Sequence, residues 1–344
     1  MTRVTVKQFT RLTAESQKGA VSMWTQDNKS AVQRPDRVSF AVSIPQSCPD
    51  RGFDAEAFRS YMERAESLGF DGAWAMEQTL GPRPHLSPLE ALTYAASCTE
   101  RLRLGCSVFV TPMHIPVQLA KAIATVDQMS HGRVDVGVGI GGTSRPLSAF
   151  GIGPERLAAR YNEGLRLMKG LWAGSPIQFD GDFWKLDGTG IAPGSWQKPH
   201  PPIWLGGSHP RALSRAAQEG DGFFGAGTTT TAAFSEHVAL VKAELTQAGR
   251  DPQTFPVAKR IYVAIDDNRE TARHEAQQGL DATYPGVPID LLPVAVHGTP
   301  EDCAQGVQDV IDAGANLVLF TPFAREHEHM ERIAAEVIPL TTRA

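Results

Sequence analysis

The sequence predicts an α/β protein, a (β/α)8 TIM barrel with insertions, and leaves a doubly wound open sheet as the alternative. Two observations predict it. From Arg37 onward, short apolar and β-branched runs alternate with stretches of 3.6-residue apolar period. The strand-like runs are Val38–Ile44, Gly72–Met76, Leu102–Val110, Val134–Val138, Pro202–Leu205, Gly222–Gly225, Lys259–Ile265 and Asn316–Phe320, the number a barrel of this type needs.

The helices between them carry start and stop signals. Asp54 can cap a helix with the apolar face Phe58, Tyr61, Met62, Ala65 and Leu68, and Gly69 can end it in the left-handed conformation. Pro154 suits a first helical turn ahead of Leu157, Tyr161, Leu165, Met168 and Trp172, a stripe that stops at Gly174. Thr231 precedes Phe234, Val238, Val241 and Leu245 in the same way. Thr299, Pro300 and Asp302 form a helix start for Val307, Val310 and Ile311. These stripes are core-facing surfaces and carry no chemistry.

Two segments break the alternation. Ser175–Pro201, rich in Gly, Pro and aromatics, reads as a hairpin plus an extended loop, and Tyr284–His297, with three prolines, reads as a lid-like excursion. Both are insertions that can close over a site. Residues 1–36 show no clear periodicity and read as a flexible leader outside the fold, with a transit segment or a start at Met23 as alternatives. Residues 37–344 then form a single domain.

Composition excludes several classes. Of 344 residues 42% are hydrophobic, so a large core can be buried and whole-chain disorder is excluded. The net charge of −5 supplies no global field for a nucleic acid or an anionic membrane. No apolar run approaches the roughly 20 residues needed to span a bilayer. Cys48, Cys98, Cys106 and Cys303 form no metal or disulfide pattern, which fits a reducing cytoplasmic setting.

Glycines mark the places where chemistry can sit. Gly137-Val138-Gly139-Ile140-Gly141-Gly142 satisfies G-x-G-x-x-G after a strand, but no helix opens at its last glycine and no acidic ribose ligand follows at the end of a second strand. A nicotinamide dehydrogenase is therefore a weak alternative. Gly206-Gly207-Ser208 leads from a strand into a helix with Pro210 in its first turn, so free backbone N–H groups and a hydroxyl can hold a phosphate; a tight turn with a serine cap is the plain alternative. His327, Glu328, His329 and Glu331 look metal-like, yet the two histidines diverge on a helix; the cluster reads as a solvated face and no metal is expected. His85 and His114 follow the second and third strands on the presumed active rim.

Leu102-Arg103-Leu104-Gly105-Cys106-Ser107-Val108 through Pro116, then Ala120-Lys121, Thr125-Val126-Asp127, Ser130-His131-Gly132-Arg133 and Gly137-Val138-Gly139, resembles the central signature of the bacterial luciferase-like oxidoreductases. The resemblance continues through Phe179-Asp180-Gly181, Lys198-Pro199-His200-Pro201-Pro202-Ile203-Trp204 and Gly206-Gly207, over roughly residues 37 to 340. It implies a barrel that binds FMN or coenzyme F420 at the C-terminal strand ends and transfers hydride to, or activates oxygen for, a small organic substrate, commonly as a homodimer. By position, Ser107 and Val108 match a non-proline cis peptide behind the isoalloxazine ring. Gly139, Gly141, Gly142, Gly206, Gly207 and Ser208 match cofactor-loop and phosphate positions. A barrel of this family that has lost its cofactor and only binds ligands or assembles is a further alternative.

Departures from the family pattern narrow the chemistry. Where F420-dependent dehydrogenases of the family carry an acid followed by a histidine, this chain has Glu77 and Gln78, and glutamine cannot relay a proton. The acid that the sugar-phosphate dehydrogenases place after the fourth strand is Gly142, which disfavours sugar phosphate oxidation. Arg260 and Tyr262 share one face of the seventh strand, where the sulfonate-cleaving members resemble it with Arg and His, and can hold an intermediate or an anionic substrate group.

Overall fold

The computed structural model describes residues 37–48, 52–81, 83–141, 147–174, 176–287 and 290–341. The leader expected over residues 1–36 lies outside the described residues, as does Gly142.

The strands are β1 (Ser39–Ser43), β2 (Gly72–Ala75), β3 (Arg103–Val110), β4 (Val134–Gly139), β5 (Ile177–Asp180), β6 (Lys185–Thr189), β7 (Ile203–Gly206), β8 (Gly222–Gly225), β9 (Val257–Ile265), β10 (Ala295–Gly298) and β11 (Leu317–Pro322). Parallel pairing runs β1, β2, β3, β4, β7, β8, β9, β11 and back to β1. Closure excludes the open doubly wound sheet, and the wall strands coincide with the predicted runs to within two residues at each end.

Around the wall lie α1 (Ala55–Ser67), α2 (Pro88–Cys98), α3 (Pro116–Met129), α4 (Leu157–Ala173), α5 (Pro210–Glu219), α6 (Thr231–Gln247), α7 (Arg269–Thr283), α8 (Pro300–Asp312) and α9 (Glu326–Arg332). Asp54 caps α1 through the N–H groups of Glu56 and Ala57, and Thr299 with Asp302 forms a reciprocal capping box on α8. Two expected starts move. Thr230, not Thr231, caps α6, and Pro154 lies in a turn before Arg156 (φ 56°), after which α4 begins. Among the described residues no helix is long and apolar enough to cross a membrane.

The barrel interior is filled rather than hollow. Trp74, Trp204 and Phe224 meet edge to face, with ring centroids 5.0–6.1 Å apart, and Ala41, Ala258, Leu317 and Leu319 complete the layer. Glycines opposite the indoles make the room. A Cβ on Gly105 would fall 2.3 Å from the Trp74 ring, and one on Gly222 would fall 2.5 Å from Trp204. Below this layer, at the N-terminal strand ends, the buried Arg103 guanidinium forks onto Asp135 at 2.6 and 2.9 Å.

The first insertion is the expected hairpin, but it clads the barrel's flank instead of closing over its mouth. The buried Glu163 carboxylate on α4 accepts the N–H groups of Asp182, Phe183 and Trp184 at 2.8–3.0 Å. Arg160 packs over the Trp184 ring at 4.6 Å. Lower down, Asp127 on α3 takes Ser195 Oγ, Gln197 N and Gln197 Nε2. The second insertion is not wholly a loop, because its last residues enter β10. β9 pairs first with β8, and its last four residues then pair with β10. A four-residue strand after Pro293 is too short to show a period.

The metal-like histidines have another role. His329 is buried and its Nε2 accepts the Ile265 N–H at 3.0 Å, while exposed His327 packs edge-on against Tyr61. The solvated-face reading fails for His329, and no cluster suited to a metal ion occurs among the described residues.

Arg133 ties α2 and α3 to the wall. Its buried guanidinium donates to the carbonyls of Ala96, Thr99, Leu102 and Ser130 and to Thr99 Oγ1, at 2.9–3.1 Å. Arg133→Met strands these buried acceptors and is expected to cost about 3–5 kcal/mol. Urea unfolding checks this, and a loss under about 1 kcal/mol would show that water replaces the guanidinium.

Candidate active site

The mouth lies at the C-terminal strand ends, above the aromatic layer, the usual place for a site in this architecture. Strand alternation decides what reaches it. On β9, Ala258 faces the interior, so Arg260 and Tyr262 do too, while Lys259 points outward to α6.

Arg260 crosses the mouth to β3. Its Nη2 donates to the Ser107 carbonyl and hydroxyl, and its Nη1 lies 3.8 Å from Met76 Sδ. The Ser107–Val108 peptide is cis, and β3 shifts register against β4 between Cys106 and Phe109. The Val108 side chain sits against the glycines: a Cβ on Gly139 would lie 2.8 Å from it, and one on Gly206 would lie 3.2 Å away. These glycines clear space for Val108 and leave bare main chain at the rim.

Tyr262 is buried, stacked on Phe323 at 5.2 Å, and shares a 2.5 Å hydrogen bond with the Tyr284 hydroxyl. Burial first, and Tyr262 second, raise the Tyr284 phenol well above its ordinary range. Gly227, on the β8–α6 loop, lets this wall approach: a Cβ there would meet Tyr262 at 3.1 Å and Arg260 at 3.2 Å.

Glu77 and Gln78 part company. Glu77 turns into the β2–β3 seam, where its buried carboxylate accepts the Val110 N–H at 2.5 Å and lies 2.6 Å from His114 Nε2. Its contacts therefore hold the end of β3, two residues beyond Val108. Gln78 stays on the rim and accepts from Arg83 at 3.3 Å. Gly141 has φ +84°, a left-handed conformation suited to glycine.

At the β7–α5 turn the helix cap is His209, whose Nδ1 accepts the Arg211 N–H, and not Ser208 as the turn reading held. Ser208 is exposed, and the N–H groups of Gly207 and Ser208 meet no acceptor among the described residues. Arg83, Thr321 and Tyr284 join the mouth without having been singled out from sequence, since each is typical of its surroundings until the barrel closes. Arg260 Nε, His85 Nε2 and Thr321 Oγ1 are buried without a protein partner among the described residues.

The closed parallel barrel with its solid floor and glycine rim places the chain in the TIM-barrel class. The chain belongs to the luciferase-like monooxygenase family, whose model matches residues 35–317. It is 28% identical over 255 residues to the 5,10-methylenetetrahydromethanopterin reductase of Archaeoglobus fulgidus, covering 73% of each chain. It is 25% identical over 339 residues to the F420-dependent glucose-6-phosphate dehydrogenase of Kineococcus radiotolerans, covering 89% of this chain and 97% of that protein. The FMN complex of the oxygenating constituent of 3,6-diketocamphane monooxygenase from Pseudomonas putida superposes with a TM-score of 0.72 at 17% identity, over 90% of this chain and all of that one.

Lys259 supports the Gly227 loop from outside. Its buried Nζ donates to the carbonyls of Ala226 and Thr229. Burial, and then the neighbouring Arg260, push its ammonium down to about 7. The unfolded lysine keeps a pKa of about 10.4, so between these values the unfolded state holds a proton that the folded state has released, and stability rises with pH across that window. Urea unfolding between pH 7 and 9 is expected to show wild type gaining up to roughly 1.4 kcal/mol per pH unit relative to Lys259→Met. Parallel pH profiles would show that the lysine stays charged in the fold.

Proposed function

We propose that this protein is an oxidoreductase that seats a flavin-type cofactor in the barrel mouth, coenzyme F420 in preference to FMN, and acts on a small organic substrate. One observation carries the reading: the rim beside Val108 is bare main chain, continued at Gly207 and Ser208 by N–H groups with no acceptor among the described residues. Such groups ahead of a helix suit a phosphate arm, and a flat ring needs a wall free of side chains. The residues present therefore fit the group. Gly139, Gly141 and Gly206 would line it, Ser107 and Val108 would back it, and Gly207 with Ser208 would hold its phosphate; Gly142 is assigned by position alone.

When bound, such a cofactor supplies hydride transfer or oxygen activation. The protein's part is to orient and to exclude water. Arg260 presents a fixed positive charge and Tyr262 a phenolic donor, both suited to charge that develops on oxygen. Gln78 can hold a ligand by hydrogen bonds and cannot titrate. Glu77 acts from behind as a positioning group, through Val110 and His114. The full-length similarity to a relative named as F420-dependent supports F420 over FMN. We further propose that residues 37–344 are one domain, that the protein is cytoplasmic, and that it works as a homodimer.

Anaerobic fluorescence titration of the purified protein tests the reading. F420 is expected to bind saturably and more tightly than FMN, while Arg260→Gln keeps that affinity within a few-fold and lowers turnover about 100-fold. Saturable binding of neither cofactor would overturn the proposal.

A further inference from the structure

Two guanidiniums share one sector of the mouth, and neither has a carboxylate partner among the described residues. Elsewhere Arg103, Arg325 and Arg332 each lie 2.5–2.6 Å from an acidic oxygen, and buried Arg133 is satisfied by a set of carbonyls and a hydroxyl. Among the described residues Arg260 is held by Ser107 and Met76. Arg83, on the loop after β2, donates to Thr283 Oγ1 at 3.2 Å and to Gln78 Oε1 at 3.3 Å. Both are half-buried.

The geometry joins them. Thr283 ends α7 next to Tyr284, Tyr284 bonds Tyr262, and Tyr262 shares its strand face with Arg260. The fields of both arginines reach the same two groups, His85 and Tyr284. Arg260 Nε and Thr321 Oγ1 are buried donors without a partner among the described residues. Of the two phenolic protons on Tyr262 and Tyr284, one serves their mutual bond, and no described protein group accepts the other. A half-buried cation loses hydration, and here no carboxylate among the described residues forms an ion pair with it.

We propose that this sector is an oxyanion subsite, and that the substrate carries an anionic oxygen group which Arg83 and Arg260 grip while the tyrosine pair donates its remaining proton. This deepens the oxidoreductase reading and rests on it for the word substrate, but the subsite itself does not depend on which cofactor binds. Guanidinium forks suit carboxylate, sulfonate and phosphate groups alike. Arg83 is then a specificity residue for the reaction.

Calorimetric titration of the full chain with benzoate and with inorganic phosphate tests it, with benzamide as the neutral control. At least one anion is expected to bind, with an affinity that falls as salt rises, and benzamide is not. Arg83→Gln and Arg260→Gln should each weaken binding about tenfold or more, and Arg83→Lys, which keeps the charge and loses the fork, should fall between Arg83→Gln and wild type. Far-UV circular dichroism confirms that each variant is folded, and the loop position of Arg83 keeps one variant informative if Arg260→Gln unfolds.

Saturating F420 or FMN should leave the anion affinity within about threefold, since substrate and cofactor must be held together. Failure of both anions to bind, or binding indifferent to the arginine variants, overturns the subsite. Displacement of the anion by cofactor also overturns it, because the sector would then belong to the cofactor's own phosphate. Arginine-dependent anion binding without any cofactor binding would leave the subsite standing and bring down the cofactor reading instead.

Discussion

The aromatic layer halfway up the barrel is the constraint on which the rest of the structure depends. A closed parallel barrel must be packed inside, and a wall this small has room for few large side chains. Trp74, Trp204 and Phe224 take that space, so the strands facing them must yield it at Gly105 and Gly222. A solid floor follows, and with it a division of the interior. The Arg103–Asp135 pair is sealed below, where it meets its partner in full, and the Arg260 guanidinium stands above, where it does not.

β9 connects that floor to the chemistry. Its alternation sends Lys259 out and Arg260 in, two cations one residue apart on opposite faces of one strand. Outside, Lys259 meets two carbonyls and the Phe234 ring, and burial with its neighbour's charge weakens its hold on the proton. Inside, the Arg260 guanidinium reaches the Ser107 carbonyl on the far wall. The strand is long enough to pair with β8 at its base and β10 at its tip, which steadies Tyr262 beyond the point where β8 has ended.

The wall strands were legible because each is a short apolar run bounded by turn residues, and the glycines because they stand in strings. Helix starts were legible at the side-chain caps Asp54 and Thr299, off by one residue at α6, where threonines stand side by side, and misplaced at Arg156, where backbone conformation decides. β10 was hidden because four residues after a proline carry no period. In the site, Arg260, Tyr262, Ser107 and Val108 could be found from strand register and family resemblance. Glu77 could be found too, but not its direction: register predicts which face a residue takes within a strand, and Glu77 lies just beyond β2, where the pleat no longer governs. Arg83 and Tyr284 were not legible as partners, because they lie some two hundred positions apart and meet only through Thr283 and the closed wall.

The residues that made the family recognisable are mostly not those that would touch a substrate. Asp127 anchors the flank insertion, Arg133 fastens two helices, and Gly137, Gly139 and Gly206 accommodate the bend of β3 around Val108. Each is buried or main-chain-bound, so each tolerates few replacements, and a sequence signature built from them reports the architecture of the mouth. The substrate-facing groups proposed here have a chemical demand: a positive charge at Arg83 on its loop and at Arg260 within β9, a hydroxyl at Tyr262 within β9 and at Tyr284 after α7, an amide at Gln78 on the rim. Among them the half-buried guanidiniums of Arg83 and Arg260 share one sector of the mouth with no ion-pair partner among the described residues.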